Sequence, residues 1–455
     1  MDLSRYYIDA VHVWCYNRTN EGGISMFNVE ARNLGSYDVA VCGGGIAGVC
    51  AAVSAARNGA KVVLIESAGS LGGTLTEGQM PYILDGDNKG GMIREMMDYL
   101  SAHEQTIAKR GRKLDENGKR IPGYLINVEG AKYFFDKICR EAGVKVLFHS
   151  RVAAVDHTGG HINAIMLATE CGNYSLTAKV YIDSTGNGNL AALVGCRWDC
   201  GDPVEKRPSP ASMQAAAVGM PDDYDGIQNV DDKTAYGNML EQHGISVSSQ
   251  QVSVVKLPAL KMWGFGMNFQ YDVMPDDIES LSNAEEESRK EIFEVMEAHR
   301  QLPGYEQLYL TTTGAHIGIR EGRRIYGEYR LTDDGIIEGR RFEDGICLVT
   351  FGVDVHKLKA DDTLDCARGI RTKPYHIPYR CLVPQASDNM LLAGRCISGD
   401  FYPHASYRVM GNMAGTGEAA GYAAALCARE NIQPKEVDGK AVSTYMAPYL
   451  HEPAK

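Results

Sequence analysis

The segment that most restricts this chain is Tyr37 to Glu66, YDVAVCGGGIAGVCAAVSAARNGAKVVLIE. It reads as strand, glycine turn, helix, strand and terminal acid, the order that dinucleotide binding requires. Gly43, Gly45 and Gly48 fit G-x-G-x-x-G. Gly43 permits the tight turn, Gly45 lets backbone approach a pyrophosphate, and Gly48 lets helix and strand pack closely. The pyrophosphate is then expected on the helix N-terminus at Ile46 and Ala47, where free N–H groups and the dipole attract it. Glu66 follows Gly43 by roughly 20 residues, the distance at which an acid meets the ribose hydroxyls of the adenosine half. A glycine turn in an ordinary α/β protein leaves Glu66 unexplained.

Bulk properties narrow the partner. The chain has 455 residues, 44% hydrophobic and 23% charged, which suits two or three domains around a sizeable core. A net charge of −12 argues against nucleic acid, because phosphate binding needs concentrated positive charge. No apolar run approaches a membrane span. The opening residues MDLSRYYIDAVHVWCYN show neither a continuous apolar core nor a small-residue cleavage site. The 12 cysteines include no C-x-x-C pair, so reduced thiols in the cytoplasm are expected, and no metal site.

Further along, residues 1–36 form a lead-in arm with strand-like alternation, suited to packing on the body or on a second copy of the chain. EGAKYFFDKICREAG (129–143) is an amphipathic helix, and VKVLFHS a strand. Three short strands follow with turns between them, ending in the buried VYIDSTG (180–186). Residues 197–375 lose the alternating strand–helix rhythm and are expected to form an inserted, mixed α+β substrate domain. NMLLAGR (389–395) is a buried strand, and VMGNMAGTGEAAGYAAALCARE (409–430) a long helix of small residues. The expected fold is therefore α/β: a Rossmann-like nucleotide domain with a β-meander, built from 37–196 and completed by 376–455.

Two features favour FAD over NAD. VYIDSTGNG and NMLLAGR are each a buried strand running into glycine, as if ending beside one cofactor. Thr185 and Gly186, with Gly72, Gly73 and Thr74 of the LGGT loop, add backbone donors for a long ligand. GNGNLA (186–191) also fits G-x-G-x-x-A, but two prolines downstream break any second nucleotide unit.

The chain resembles the FAD-dependent oxidoreductases of the glutathione-reductase-type fold, through GGGIAG with Glu66, LGGT, STG and LLAGR. More specifically it resembles a bacterial family distantly related to fumarate reductase and succinate dehydrogenase flavoproteins. STGNGNLAALVG, GIREGRRIYGEY, YHIPYRCLVP and SYRVMGNMAGTGEAAG carry that likeness, over most of residues 37–430. Asn187 and Asn189 stand where that family usually has aspartates. The resemblance implies FAD contacts from Ser67, Val152, Gly394, Arg395, Asp400, Met410 and Asn412. It also implies that His404 and Arg408, in DFYPHASYRVMGN, hold a substrate carboxylate near the flavin, as the corresponding HGANRLGxN segment of fumarate reductases does. Arg suits that task because its planar fork binds a carboxylate through two hydrogen bonds.

A second polar set is drawn from His316, Arg320, Arg323, Arg324, His376, Tyr379 and Arg380, with Arg320, Arg380 and His376 the leading candidates. Asp354 and His356 read as a satisfied polar turn. No histidine or cysteine lies between Gly69 and Asp87 to fix flavin covalently, so FAD is expected to bind non-covalently. The expected activity is hydride exchange between flavin N5 and a small polar organic molecule, with a carboxylate as the favoured substrate and an electron donor or acceptor not named by the residues. Two other readings stand beside it: a flavin-dependent RNA-modifying enzyme, which the acidic balance opposes, and a flavin electron carrier without a substrate pocket.

Overall fold

A computed structural model describes residues 10–18, 24–103, 106–109, 124–224, 227, 230–249, 252–359 and 369–452. Its organising element is an eight-stranded sheet. Lys145–Leu147, Val62–Ile65, Ile24–Cys42 and Gly172–Asp183 lie side by side and parallel, and Met390–Leu392 pairs parallel with Gly172–Asp183. His161–Thr169 and Ser150–Thr158 continue the sheet as an antiparallel meander. Val62–Ile65 and Met390–Leu392 are buried throughout, as parallel strands covered on both faces must be. The mixed α/β architecture expected from the sequence is present, including the late return of Met390–Leu392 to the sheet.

Two helices cover one face of this sheet. The first, Ile46–Arg57, is almost wholly buried and packs along the long helix Met410–Glu430. The approach is close because both surfaces are small. A Cβ added at Gly417 would sit 2.0 Å from the Ala47 carbonyl oxygen, and one at Gly421 would sit 2.1 Å from that of Ala51.

The amino-terminal boundary differs from the expected one. Ile24–Cys42 is a single continuous strand, and Ala10–Arg18 pairs with its first half as an antiparallel hairpin, so the lead-in extends the sheet and does not break at residue 36.

A second unit stands over the sheet's carboxyl edge. Its four-stranded antiparallel sheet runs in the order Ser253–Leu257, Met262–Gly266, Gln214–Val218, Tyr309–Thr313, and a separate core from Ala211 to Ile317 supports it. Ile325, Leu331, Ile346 and Tyr375 pack instead into the core of the main sheet. The chain thus returns to the first core at about Ile325, well before residue 376, because Gly345–Val349 and Tyr375–Pro378 form a buried pair beneath the long helix. Among the described residues no helix is long and apolar enough to cross a membrane.

His299 lies in the second core, 1% exposed, with Nε2 at 3.1 Å from the Tyr236 hydroxyl. Burial lowers its pKa to about 4. The folded state therefore binds fewer protons here than the unfolded chain, so stability rises with pH and is lost as pH falls from 6.5 towards 4. We expect denaturant stability to fall by about 1.4 kcal/mol per pH unit in that window from this histidine, and His299→Phe to flatten that slope.

Candidate functional site

A cavity of about 2000 Å³ opens between the carboxyl edge of the main sheet and the second unit. That is about twice the upper size of an ordinary small-molecule pocket, enough for an extended dinucleotide together with a second ligand. Its floor starts at the glycine turn. Gly43 has φ +103°, and a side chain there would meet the Ser184 carbonyl oxygen at 2.5 Å, so only glycine fits between the two strand ends. Gly45, Ile46 and Ala47 line the cavity. Gly45 caps the first helix without any side-chain hydrogen bond, and a Cβ there would meet nothing within 4 Å. The start of this helix thus borders open space, with the room a pyrophosphate at a helix N-terminus needs. Gly48 does not reach the cavity; a Cβ there would lie 1.8 Å from the Gly43 carbonyl oxygen, so its role is close packing.

Glu66 and Ser67 also line this end. Glu66 Oε2 accepts from Gly44 N at 2.6 Å, and Oε1 accepts from Ala68 N at 2.7 Å and Ser67 Oγ at 3.0 Å. The carboxylate braces the glycine turn besides facing the space where a ribose would lie. Gly72, Gly73, Thr74 and Val152 complete this part of the wall.

The middle of the floor comes from Thr185, Gly186 and Gly394, at the ends of their two parallel strands. Buried Asp183 organises the turn by accepting from Thr185 N, Thr185 Oγ1 and Ala191 N. Val409 caps the long helix without a side-chain hydrogen bond, and Val409, Met410 and Met413 face the cavity. The long helix thus also begins at this space, although its Gly411 N–H already donates to the Leu84 carbonyl at 3.0 Å.

Arg320, Arg395 and Arg408 line the far end. Arg395 donates to the Gly186 carbonyl at 3.0 Å, to Asn187 Oδ1 at 2.6 Å and to the Ile319 carbonyl, all neutral acceptors. Asn187 is an amide, so among the described residues this guanidinium has no carboxylate partner. Burial and the nearby Arg408 lower the Arg395 pKa to about 10, against the opposing effect of Cys396. Arg320 donates to the Pro210 carbonyl and Ser212 Oγ, each at 2.7 Å, and stacks 5.2 Å from the centre of Phe269. Burial and Arg408 lower it to about 10, with Asp354 opposing. Arg408 donates to the Asp354 carbonyl at 2.8 Å and to Oδ2 at 3.3 Å. The cluster holds more cation than carboxylate and remains charged at neutral pH.

Asp354 and His356, expected as a plain polar turn, both face this space. His356 packs 5.0 Å from Phe269 with Nε2 at 3.8 Å from Asp354, and burial and Arg320 lower its pKa to about 3, so the ring is neutral. His316 and Arg323 line the cavity as well.

Other candidates lie elsewhere. His404 is 1% exposed, beneath the arginines, and its Nε2 has no partner among the described residues. Burial and Arg324, Arg408 and Arg395 hold it far below its ordinary pKa, so it is neutral and screened from the cavity. His376 sits behind the buried strand pair, bonded to Phe342. Arg380 is on the outer surface in an ion pair with Asp344 at 2.9 Å. Tyr379 is buried against Pro434, and Arg324 is locked in a buried pair with Glu321. Asp400 pairs with Arg330 at 2.6 Å, and Asn412 is buried inside the long helix's first turn beside Cys347. Neither reaches the cavity.

Known proteins supply the family. A model of the FAD dependent oxidoreductase family matches residues 38–446. The digeranylgeranylglycerophospholipid reductase of Methanococcus vannielii is 27% identical over 157 residues, covering 33% of this chain and 38% of that protein. The same enzyme from Methanococcus aeolicus is 29% identical over 170 residues, covering 35% and 41%. The chain thus spans about two fifths of the length of these curated relatives. A geranylgeranyl bacteriochlorophyll reductase-like protein from Thermoplasma acidophilum is similar with a TM-score of 0.44 at 14% identity, covering 90% of this chain and 82% of that one. The p-nitrophenol 4-monooxygenase of Pseudomonas putida gives 0.47 at 14% identity, covering 91% and 87%. With a family match running from the strand before the glycine turn to beyond the long helix, the chain belongs to the FAD-dependent oxidoreductases, as an enzyme whose cofactor is FAD.

Proposed function

We propose that this enzyme exchanges hydride with a small organic acid whose carboxylate is held by Arg320 and Arg408. The observation that carries this reading is the buried surplus of cation at one end of the cavity. Arg320 makes no ion pair among the described residues, and its neighbour Arg408 lowers its pKa. A bound anion relieves that repulsion. The fold is best classed with the glutathione-reductase type, distantly related to fumarate reductase flavoproteins, and the second unit is the substrate domain.

FAD, when bound, supplies hydride chemistry at flavin N5. The chain's own residues do the rest. The first turn at Gly45 to Ala47 receives the pyrophosphate, and Glu66 accepts from the adenosine ribose. FAD is held non-covalently; Gly72, Gly73, Thr74, Val152, Thr185, Gly186, Gly394 and Met410 line its path. Arg320 and Arg408 orient the acid, and neutral His356 donates or accepts a hydrogen bond beside it. The size of the cavity favours a substrate-converting enzyme over a flavin electron carrier, and the net charge of −12 speaks against RNA as a substrate.

The test is anaerobic bleaching of the purified holoenzyme by a panel of carboxylates, with matched alcohols and amines alongside. Bleaching by acids supports the reading. Bleaching by neutral compounds that acids do not inhibit would overturn it.

Glu66→Gln checks the nucleotide end. An amide there turns an N–H donor against Gly44 N or Ala68 N, leaving a buried donor unpaired, a loss of about 1–3 kcal/mol. FAD affinity is expected to fall by about fivefold or more, read from flavin released on dialysis.

A further inference from the structure

One wall of the cavity is a face of the second unit's sheet, and its chemistry changes along the strands. Side chains on a strand alternate between faces. Val254, Trp263, Phe265 and Ala217 turn into the second core. Their neighbours Ser253, Val255 and Leu257, with Met262, Gly264 and Gly266, face the cavity.

The register arranges these in rows across the sheet. Ser253, Gly266 and Gln214 lie opposite one another, then Val255, Gly264 and Ala216, then Leu257 and Met262. The first row is polar, the second small, the third large and apolar. Beyond the first row come Ser212 and Asn268, and Ser212 Oγ is the acceptor of Arg320 at 2.7 Å. At the other end Leu257 packs with Leu125 in a small apolar cluster, flanked by Tyr82, Val255 and Met262, separate from both main cores. At about 3.4 Å per residue, Asn268 to Met262 spans about 20 Å.

We propose that the substrate is an amphipathic carboxylic acid, its carboxylate at Arg320 and Arg408 and an extended apolar chain lying over Gly264 to the Leu257–Met262 row. This deepens the reading of the arginines as an anion anchor and rests on it. Gly264 is the point of control. A Cβ there would meet no atom closer than 3.9 Å, so a side chain fits the fold and projects into the chain's path.

The experiment uses the FAD-loaded protein and unbranched monocarboxylates from acetate to decanoate, with calorimetric titration and perturbation of the flavin spectrum as readouts. In the unaltered protein affinity should rise by about fourfold per methylene, then level off once the chain passes the apolar row. Gly264→Val should bind acetate within about twofold of the parent and octanoate at least tenfold more weakly. Met262→Asn should flatten the same series from the far end, a second route if the valine disturbs the strand. Arg320→Ala should weaken every acid by a similar factor. Affinity that does not grow with chain length, or octanoate binding indifferent to both sheet variants, would overturn the apolar tail and leave the arginine anchor standing. Octanol binding as tightly as octanoate, unaffected by Arg320→Ala, would overturn the anchor and with it the amphipathic acid.

Discussion

Gly417→Val is expected to be the most damaging single substitution away from the cavity, lowering stability by at least about 4 kcal/mol and emptying the protein of flavin. The added Cβ would lie 2.0 Å from the Ala47 carbonyl oxygen, which is backbone in the first turn of the neighbouring helix and has no rotamer to escape into. Relief requires the two helices to separate. Both helices begin at the cavity, the first at Gly45 to Ala47 and the second at Val409 and Met410, so separation also misplaces the two N-termini that border it. Gly421→Val should behave similarly, because its Cβ meets the Ala51 carbonyl oxygen at 2.1 Å. Gly352→Ala is the control: a Cβ there meets nothing within 4 Å, and the change should stay within about 0.5 kcal/mol. Denaturant melts and the ratio of flavin to protein absorbance check all three. A Gly417→Val protein that melts like the parent and keeps its colour would show that the helices are not in this close contact.

These contacts were only half visible in the sequence. The glycine turn with Glu66, the meander and the return of Met390–Leu392 are local patterns, and each appears where its residues announce it. The small residues of 410–430 signalled a close approach without naming the partner, because a partner distant in sequence is set by topology. Side-chain direction was harder. His404 and Arg408 share the spacing of one helical face, but the helix Phe401–Tyr407 ends at Arg408. His404 therefore stays on the buried side while Arg408 leaves the helix for the cavity. His376 was legible in principle: Tyr375 and Ile377 point inward from Tyr375–Pro378, so the residue between them faces the other way. Arg380 stands between buried Tyr379 and Cys381 and so turns to solvent. Asp354 and His356 belong to no regular element, and only the folded chain shows them beside Arg408 and Phe269. The strands of the second unit, QAAAV and MWGFG among them, are short and rich in Ala and Gly, so their period is faint.

Arg320→Ala is expected to lower kcat/KM by about 10²- to 10³-fold while FAD content and melting temperature stay near those of the parent. Among the described residues the side chain's hydrogen-bond partners are one carbonyl and one hydroxyl, which water replaces readily at the wall of a large cavity, and its ring contact is with Phe269, which also lines the cavity. Its absence therefore weighs on the ligand more than on the fold. Arg320→Lys should recover part of the loss, since it keeps the charge but not the two-pronged fork. Asn187→Asp approaches the same cluster from the other side. It places a carboxylate 2.6 Å from the Arg395 guanidinium, in the position the amide oxygen now holds, and offsets one of the three cations. If surplus positive charge attracts the substrate, this change should raise KM several-fold with little effect on kcat, and more so at low ionic strength. A KM indifferent to Asn187→Asp, together with an unimpaired Arg320→Ala enzyme, would mean that the arginines serve the fold or the cofactor and that the acid binds elsewhere.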